Sequence, residues 1–115
     1  MNLNLSCIDL SVKDLLQCSF GLSKQEVSIF INLLGRKDWV TVAEISKIAK
    51  RDRSVVQRAL TSLVDKTLVE RDQKNKLGGG YEFLYRTKDK KMIKNAILEK
   101  SRAFSLMVQG QIRQW

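Results

Sequence analysis

Apolar and polar positions recur along this chain with two different periods, and the switches between them outline its architecture. Val27, Phe30, Ile31 and Leu34 fall at i, i+3, i+4 and i+7, the spacing of one buried helix face. Ser23-Lys24-Gln25-Glu26 in front of them is a capping box, in which Ser23 caps the helix and Glu26 returns to the cap's N–H; Gly35 closes the segment. Upstream, Ile8, Leu10, Val12, Leu15 and Leu16 predict a first helix over about 9–19, stopped by Gly21. Downstream, Val42, Ile45, Ile48 and Ala49 predict a third helix over about 42–50, with Glu44 and Lys47 facing water. A fourth, over about 53–66, buries Val56, Ala59, Leu60, Leu63 and Val64 and turns Arg53, Ser54, Gln57, Arg58 and Thr61 outward. Asp52 is its expected N-cap, and Ser54 with Gln57 offers a competing capping box two residues later.

The period then shortens to two. Trp39-Val40-Thr41 reads as a minor strand beside a hairpin, whose own strands are expected at about 68–72 and 81–86. Between them runs Gln73-Lys74-Asn75-Lys76-Leu77-Gly78-Gly79-Gly80, where three glycines permit positive φ. From residue 88 the helical period returns: Ile93, Ile97, Phe104 and Met107 recur at near-heptad spacing, broadened by Met92, Ala96, Ala103 and Val108 and interrupted by Lys100. Continuous to Trp115, that helix measures up to ~40 Å. Two short helices, a strand, a basic glycine-rich loop and a return strand predict a mainly α (α+β) winged helix-turn-helix. It has a two-stranded β-wing and a long C-terminal helix. Residues 1–87 are expected to form the DNA-binding domain and residues 88–115 an amphipathic dimerisation helix.

Charge sharpens the picture through its distribution. Of a net +9, residues 1–35 carry −1, from Lys13 and Lys24 against Asp9, Asp14 and Glu26, and the excess begins at Lys47. A one-sided basic field is the electrostatic footprint of a phosphate-binding surface; its alternative is a generally basic, solvated surface. No apolar run approaches the ~20 residues of a membrane span, and the N-terminus lacks the pattern of a secretion signal. A cytoplasmic protein without membrane association is therefore expected.

Histidine is absent, which removes the commonest general base and metal ligand. Cys7 and Cys18 cannot assemble a zinc site of the usual four ligands. Eleven residues apart, both fit one face of one helix as small apolar fillers, with an intersubunit disulfide as the alternative. No nucleophile-base-acid set exists, and Gly78-Gly79-Gly80 lacks the context of a phosphate loop. Neither an enzymatic role nor a cofactor is expected.

The segment Ala43-Glu44-Ile45-Ser46-Lys47, Arg53-Ser54-Val55-Val56 and Leu60 through Glu70 resembles the winged-helix domain of archaeal TrmB-like transcriptional regulators. Gly21 through Glu26 is similar to the start of that family's preceding helix. The resemblance covers about residues 20–86, with a looser one to MarR-like and Lrs14-like regulators. It implies a homodimer that binds operator DNA, usually dimerising through a terminal helix. Two positions depart from the family: Lys50 and Thr67 stand where it commonly places glycine in tight turns. The chain also ends before the effector domain of the longer TrmB type, so sugar sensing is not expected of it, and its residues identify no small-molecule effector.

The expected interface follows residue by residue. Arg53 and Arg58 suit a guanine edge and Gln57 an adenine edge. Ser54 and Thr61 suit phosphate or water bridges, and Lys47, Lys50 and Arg51 flank the backbone. Lys74 and Lys76 on the wing, with Arg71 at its base, reach phosphate or the minor groove. Ile93, Ile97, Phe104, Met107 and Val108 form the expected dimerisation face, while Trp39 and Trp115 are expected to pack. A protein-interaction module and a sequence-neutral architectural DNA coat remain as the alternative functions.

Overall fold

The computed structural model describes residues 3–5 and 8–115. Strands β1 (Leu3–Leu5) and β2 (Ile8–Leu10) pair antiparallel, with Leu3 opposite Leu10. Four helices follow: α1 (Val12–Phe20), α2 (Lys24–Leu34), α3 (Val42–Ala49) and α4 (Arg53–Asp65). Strands β3 (Val69–Asn75) and β4 (Tyr81–Thr87) form the wing, and α5 (Lys90–Gln114) ends the described fold. This is the winged helix-turn-helix that the two periodicities predict.

The first helix is corrected. It starts at Val12, and Ile8 and Leu10 lie in a strand. A second capping box sets that start: Ser11 N–H donates to Asp14 Oδ2 at 3.0 Å, and Asp14 N–H donates to Ser11 Oγ at 3.3 Å. Gly21, at φ 64°, gives the left-handed stop. Cys18 is exposed on α1 rather than filling a buried face, and the expectation for Cys7 lies outside the described residues.

The core gathers around α2, which packs against α1, α3, α4 and β4. Because neighbours surround α2 on several sides, its fully buried set is Val27, Ile29, Phe30 and Leu33, while Ile31 and Leu34 sit at the margin. The Ser23–Glu26 capping box forms as expected. On α3, Ile45 is completely buried but Ile48 is 38% exposed, so the helix presents a narrower buried stripe than its apolar positions suggest. On α4, Val56, Ala59, Leu60 and Leu63 are buried.

Two turns hold α4 in place, and both contain a left-handed non-glycine residue. Lys50, at φ 55°, ends α3. The turn is closed by Lys50 N–H donating to Ser46 O, by Arg51 N–H donating to Ser46 O at 3.2 Å, and by the Ser46 hydroxyl donating to Arg51 O. Thr67, at φ 60°, follows α4. There Leu68 N–H reaches Leu63 O and Thr67 N–H reaches Val64 O, each at 3.0 Å, which is the Schellman pattern. The tight turns are therefore kept without glycine.

The wing strands run further than expected. Gln73, Lys74 and Asn75 belong to β3, and Asn75 pairs with Tyr81, so the tip shortens to residues 76–80. Lys76 N–H donates to Gly80 O at 3.1 Å, and Gly78, Gly79 and Gly80 all take positive φ, the freedom this short reversal demands. Val40 bridges Tyr85 as the minor strand, exchanging hydrogen bonds of 2.9 and 2.8 Å.

Helix α5 begins on the core and then leaves it. Ile93 is buried and Ile97 packs at the margin, yet Phe104 is 66% and Met107 68% exposed. The molecule measures 65 × 23 × 22 Å, and the unaccompanied half of α5 fits that elongation. Trp39 packs beneath Arg86, whereas Trp115 is fully exposed and packs against nothing. No helix of the described residues is long and apolar enough to cross a membrane.

Candidate nucleic-acid interface

Helix α4 builds the centre of the candidate interface through its amphipathicity. Burying Val56, Ala59, Leu60 and Leu63 forces Arg53, Ser54, Gln57, Arg58 and Thr61 outward, and all five are exposed. Arg58 Nε leans back on Ser54 O at 3.4 Å, and Thr61 Oγ1 donates to Gln57 O at 2.9 Å. Gln57 Nε2 donates to Tyr85 Oη at 3.1 Å, tying the helix to the wing. Asp52 occupies the N-cap position of α4 without making a side-chain capping bond. The Ser54–Gln57 alternative does not set the helix start.

The turn before α4 adds Lys47, Lys50 and Arg51, all exposed. These cations and the arginines of α4 occupy neighbouring positions in one helix-turn-helix, so their fields reinforce one another on one side of the core. Glu44 is the acid at the start of α3, and it accepts from the Thr41 cap.

The wing supplies the second part. Lys74 stands opposite Glu82 across the ladder, and Lys76 Nζ lies 4.0 Å from the same carboxylate. An exposed pair at this distance holds its lysine weakly. Arg71 does not extend freely: its guanidinium lies 4.6 Å from the Phe83 ring centroid, and Tyr81 meets Phe83 edge-on at 5.3 Å. Leu77 projects from the tip, fully exposed.

At the wing base, Arg86 and Lys88 serve the fold. Arg86 bonds Glu70 at 2.9 Å and stacks 4.3 Å from the Trp39 ring, while Lys88 lies 3.7 Å from Glu70. The Arg86 hydrogen bond, aided by the charges of Arg86 and Lys88, holds the Glu70 carboxyl below its ordinary range. Across the domain, Glu26 joins α2 to α4, accepting from the Ser62 hydroxyl and pairing with Lys66 at 3.5 Å.

All eleven expected DNA-contacting residues are exposed, on α3, α4, the turn between them and the wing, with Arg71 stacked on the Phe83 ring. Sequence reasoning missed Tyr85 as a partner of this face. The alternation Tyr81-Glu82-Phe83-Leu84-Tyr85 sets the three rings on one side of β4 but does not say which of them meets α4. The expected dimerisation residues divide: Ile93 and Ile97 belong to the core and its margin, while Phe104, Met107 and Val108 are exposed. Among the described residues no cluster of acids, cysteines or histidines is arranged to hold a metal.

Comparison with known proteins places this geometry. Residues 16–91 match the model of a family described as sugar-specific transcriptional regulator TrmB. An uncharacterised protein of Methanocaldococcus jannaschii, MJ1503, is 32% identical over 97 residues, covering 81% of this chain and 73% of that protein. A solved structure described as a possible transcriptional regulator from Methanosarcina mazei aligns with a TM-score of 0.90 at 27% identity, covering 100% of this chain and 97% of that one. A protein of Enterococcus faecalis assigned to the MarR family aligns at 0.54 and 17% identity over 96% and 98% of the two chains, a likeness of fold alone.

Proposed function

Because the chain belongs to the TrmB family of transcriptional regulators, whose members bind DNA, we propose that it acts as a homodimer that reads a specific double-stranded operator. The observation that carries this reading is the outward face of α4. Arg53, Ser54, Gln57, Arg58 and Thr61 are all exposed over a buried opposite stripe, beside a wing bearing Lys74 and Lys76. Arginine and glutamine are the side chains that match guanine and adenine edges in the major groove. In this reading α4 enters that groove, Lys47, Lys50 and Arg51 neutralise flanking phosphates, and the wing grips the adjacent backbone.

Residues 1–87 then form the DNA-binding unit and residues 88–115 the dimerisation helix, with Ile93 and Ile97 joining the two. The apolar stripe that begins at Ile93 and Ile97 continues through Phe104, Met107 and Val108 after the domain has ended beneath it. A second copy of α5 covers it and sets two half-sites about one DNA turn apart, ~34 Å. A protein-interaction role is disfavoured because the α4 face carries no large apolar side chain.

Selection of bound sequences from a random duplex pool, followed by mobility shifts over a salt series, tests the reading. One enriched motif and a steep loss of affinity with salt are expected. Equal affinity for every duplex leaves an architectural coat instead, and binding absent at low salt overturns the reading. Arg53→Ala and Arg58→Ala are expected to relax base preference at discrete positions by about five- to hundredfold.

A further inference from the structure

Within the outward face of α4, Gln57 is the side chain bonded to another element. Arg58 and Thr61 reach only carbonyls of their own helix, whereas Gln57 Nε2 donates to Tyr85 Oη at 3.1 Å, across 28 residues of sequence. Tyr85 is a rigid anchor: its residue is wholly buried, and its backbone exchanges both hydrogen bonds with Val40. Gln57 itself is exposed. A fixed point of the core therefore holds one end of the amide of an otherwise exposed residue, through a part-buried bond.

The chemistry of the amide gives this contact a consequence. A carboxamide has two N–H donors and one acceptor. Adenine's major-groove edge takes one donor at N7 and offers one at N6, so reading it needs a single N–H and the carbonyl. The second N–H is surplus to that task, and here the protein itself uses one. An unrestrained glutamine must freeze its side-chain torsions when it meets a base, and a pinned amide has lost much of that freedom already.

We propose that Tyr85 is a positioning residue for base reading: by holding one N–H of Gln57 it fixes the amide, so that the other N–H and the carbonyl present the pair an adenine edge takes. Because Tyr85 lies on β4, the same bond fastens the reading group to the wing. The inference rests on the operator reading proposed above.

The test is sequence selection with wild type, Gln57→Ala and Tyr85→Phe, joined to side-chain amide NMR on the free protein. Wild type is expected to enrich adenine about tenfold or more at one position of each half-site. Gln57→Ala flattens that position, and Tyr85→Phe, which keeps the ring and loses only the hydroxyl, reduces the same preference to about threefold or less while other positions and the salt dependence stay. In the free wild-type protein the Gln57 amide is expected to be ordered relative to that of Gln114, and Tyr85→Phe to release it. Undiminished adenine enrichment by Tyr85→Phe overturns the inference, as does a Gln57→Ala variant that alters no position. A wild-type Gln57 amide as mobile as that of Gln114 overturns it without any variant. A wild type that enriches no motif defeats the operator reading itself and the inference with it.

Discussion

Thr67 is the residue most at odds with its own backbone. A β-branched side chain in the left-handed region crowds the neighbouring carbonyl, and the conformation costs a non-glycine residue about 1–2 kcal/mol. The Schellman bonds and the burial of Leu68 outweigh that cost locally. Thr67→Gly removes the strain and returns part of the gain as unfolded-chain entropy, so it is expected to stabilise the fold by about 0.5–1 kcal/mol. Lys50→Gly should gain less, because Lys50 is unbranched at Cβ and its turn is also held by the Ser46 hydroxyl. Urea-unfolding midpoints of the two variants check both; a Thr67→Gly midpoint below wild type contradicts the strain argument. Both positions were legible in the sequence because the resemblance marks them as glycine sites. The Gln57–Tyr85 bond was not, since nothing in local periodicity says which ring of the wing meets which residue of a helix 28 positions away.

At the level of elements, Glu26 clasps α2 to α4. Its partial burial pushes the carboxyl up, but the Ser62 hydroxyl, the Ser23 N–H and hydroxyl and the Lys66 charge together outweigh burial and hold it below its ordinary range. A depressed folded-state value contributes stability above the unfolded value of 4.5 that is lost as pH falls through the folded one. Glu26→Gln is therefore expected to lower stability at neutral pH and to lose less than wild type on acidification below about pH 4.5. Thermal unfolding across pH checks this, and parallel acid limbs would sink it. The capping box at Ser23 was legible, because its residues are sequence neighbours; the reach to Ser62 and Lys66 was not, because it depends on how two helices pack.

The same divide runs through the strands. Leu3 with Leu5, and Ile8 with Leu10, each have the strand period, but Leu15 and Leu16 following at helical spacing favour one long helix unless Ser11-Val12-Lys13-Asp14 is recognised as its start. On the wing, polar Gln73, Lys74 and Asn75 look like loop, yet the ladder extends over them because Tyr81, Glu82 and Phe83 pair opposite. That extension carries Lys74 on a paired strand, with Lys76 in the tip just beyond it. Lys74→Ala and Lys76→Ala are each expected to weaken all duplexes alike and to lower the salt slope by about one. Glu82→Gln, which frees Lys76 from its 4.0 Å pair, should act in the opposite direction. Titrations of operator and random duplex at several salt concentrations distinguish this uniform effect from a change in specificity.

On the scale of the whole molecule, the unbalanced feature is α5. It spans 25 residues, ~37 Å at helical rise, but only its first turns meet the domain. Ile93, Ile97 and Phe104 follow at spacings of four and seven, Met107 and Val108 lie three and four beyond Phe104, and Trp115 seven beyond Val108, so they share a stripe whose first part is already buried and whose second part faces water. Lys100 sits on that stripe at the crossover, exposed, with its ammonium 5.4 Å from the centroid of the Phe20 ring. If a second copy covers the rest, a charge placed there cannot be accommodated in the dimer, yet the protomer alone tolerates it because Phe104 is 66% and Met107 68% exposed. Phe104→Glu is therefore expected to convert a dimer to a monomer in sedimentation equilibrium while leaving the protomer folded. Ile93→Glu, which loads charge into the core, should instead cost several kcal/mol and unfold it. Losing the partner also removes the effective concentration that joins two half-sites, so Phe104→Glu should lower affinity for a two-half-site operator by about 10²–10⁴ and leave affinity for a single half-site nearly unchanged. A wild-type protein that stays monomeric at micromolar concentration, or a Phe104→Glu variant that sediments as wild type does, would separate the exposed stripe from dimerisation and leave the winged domain to bind one half-site at a time.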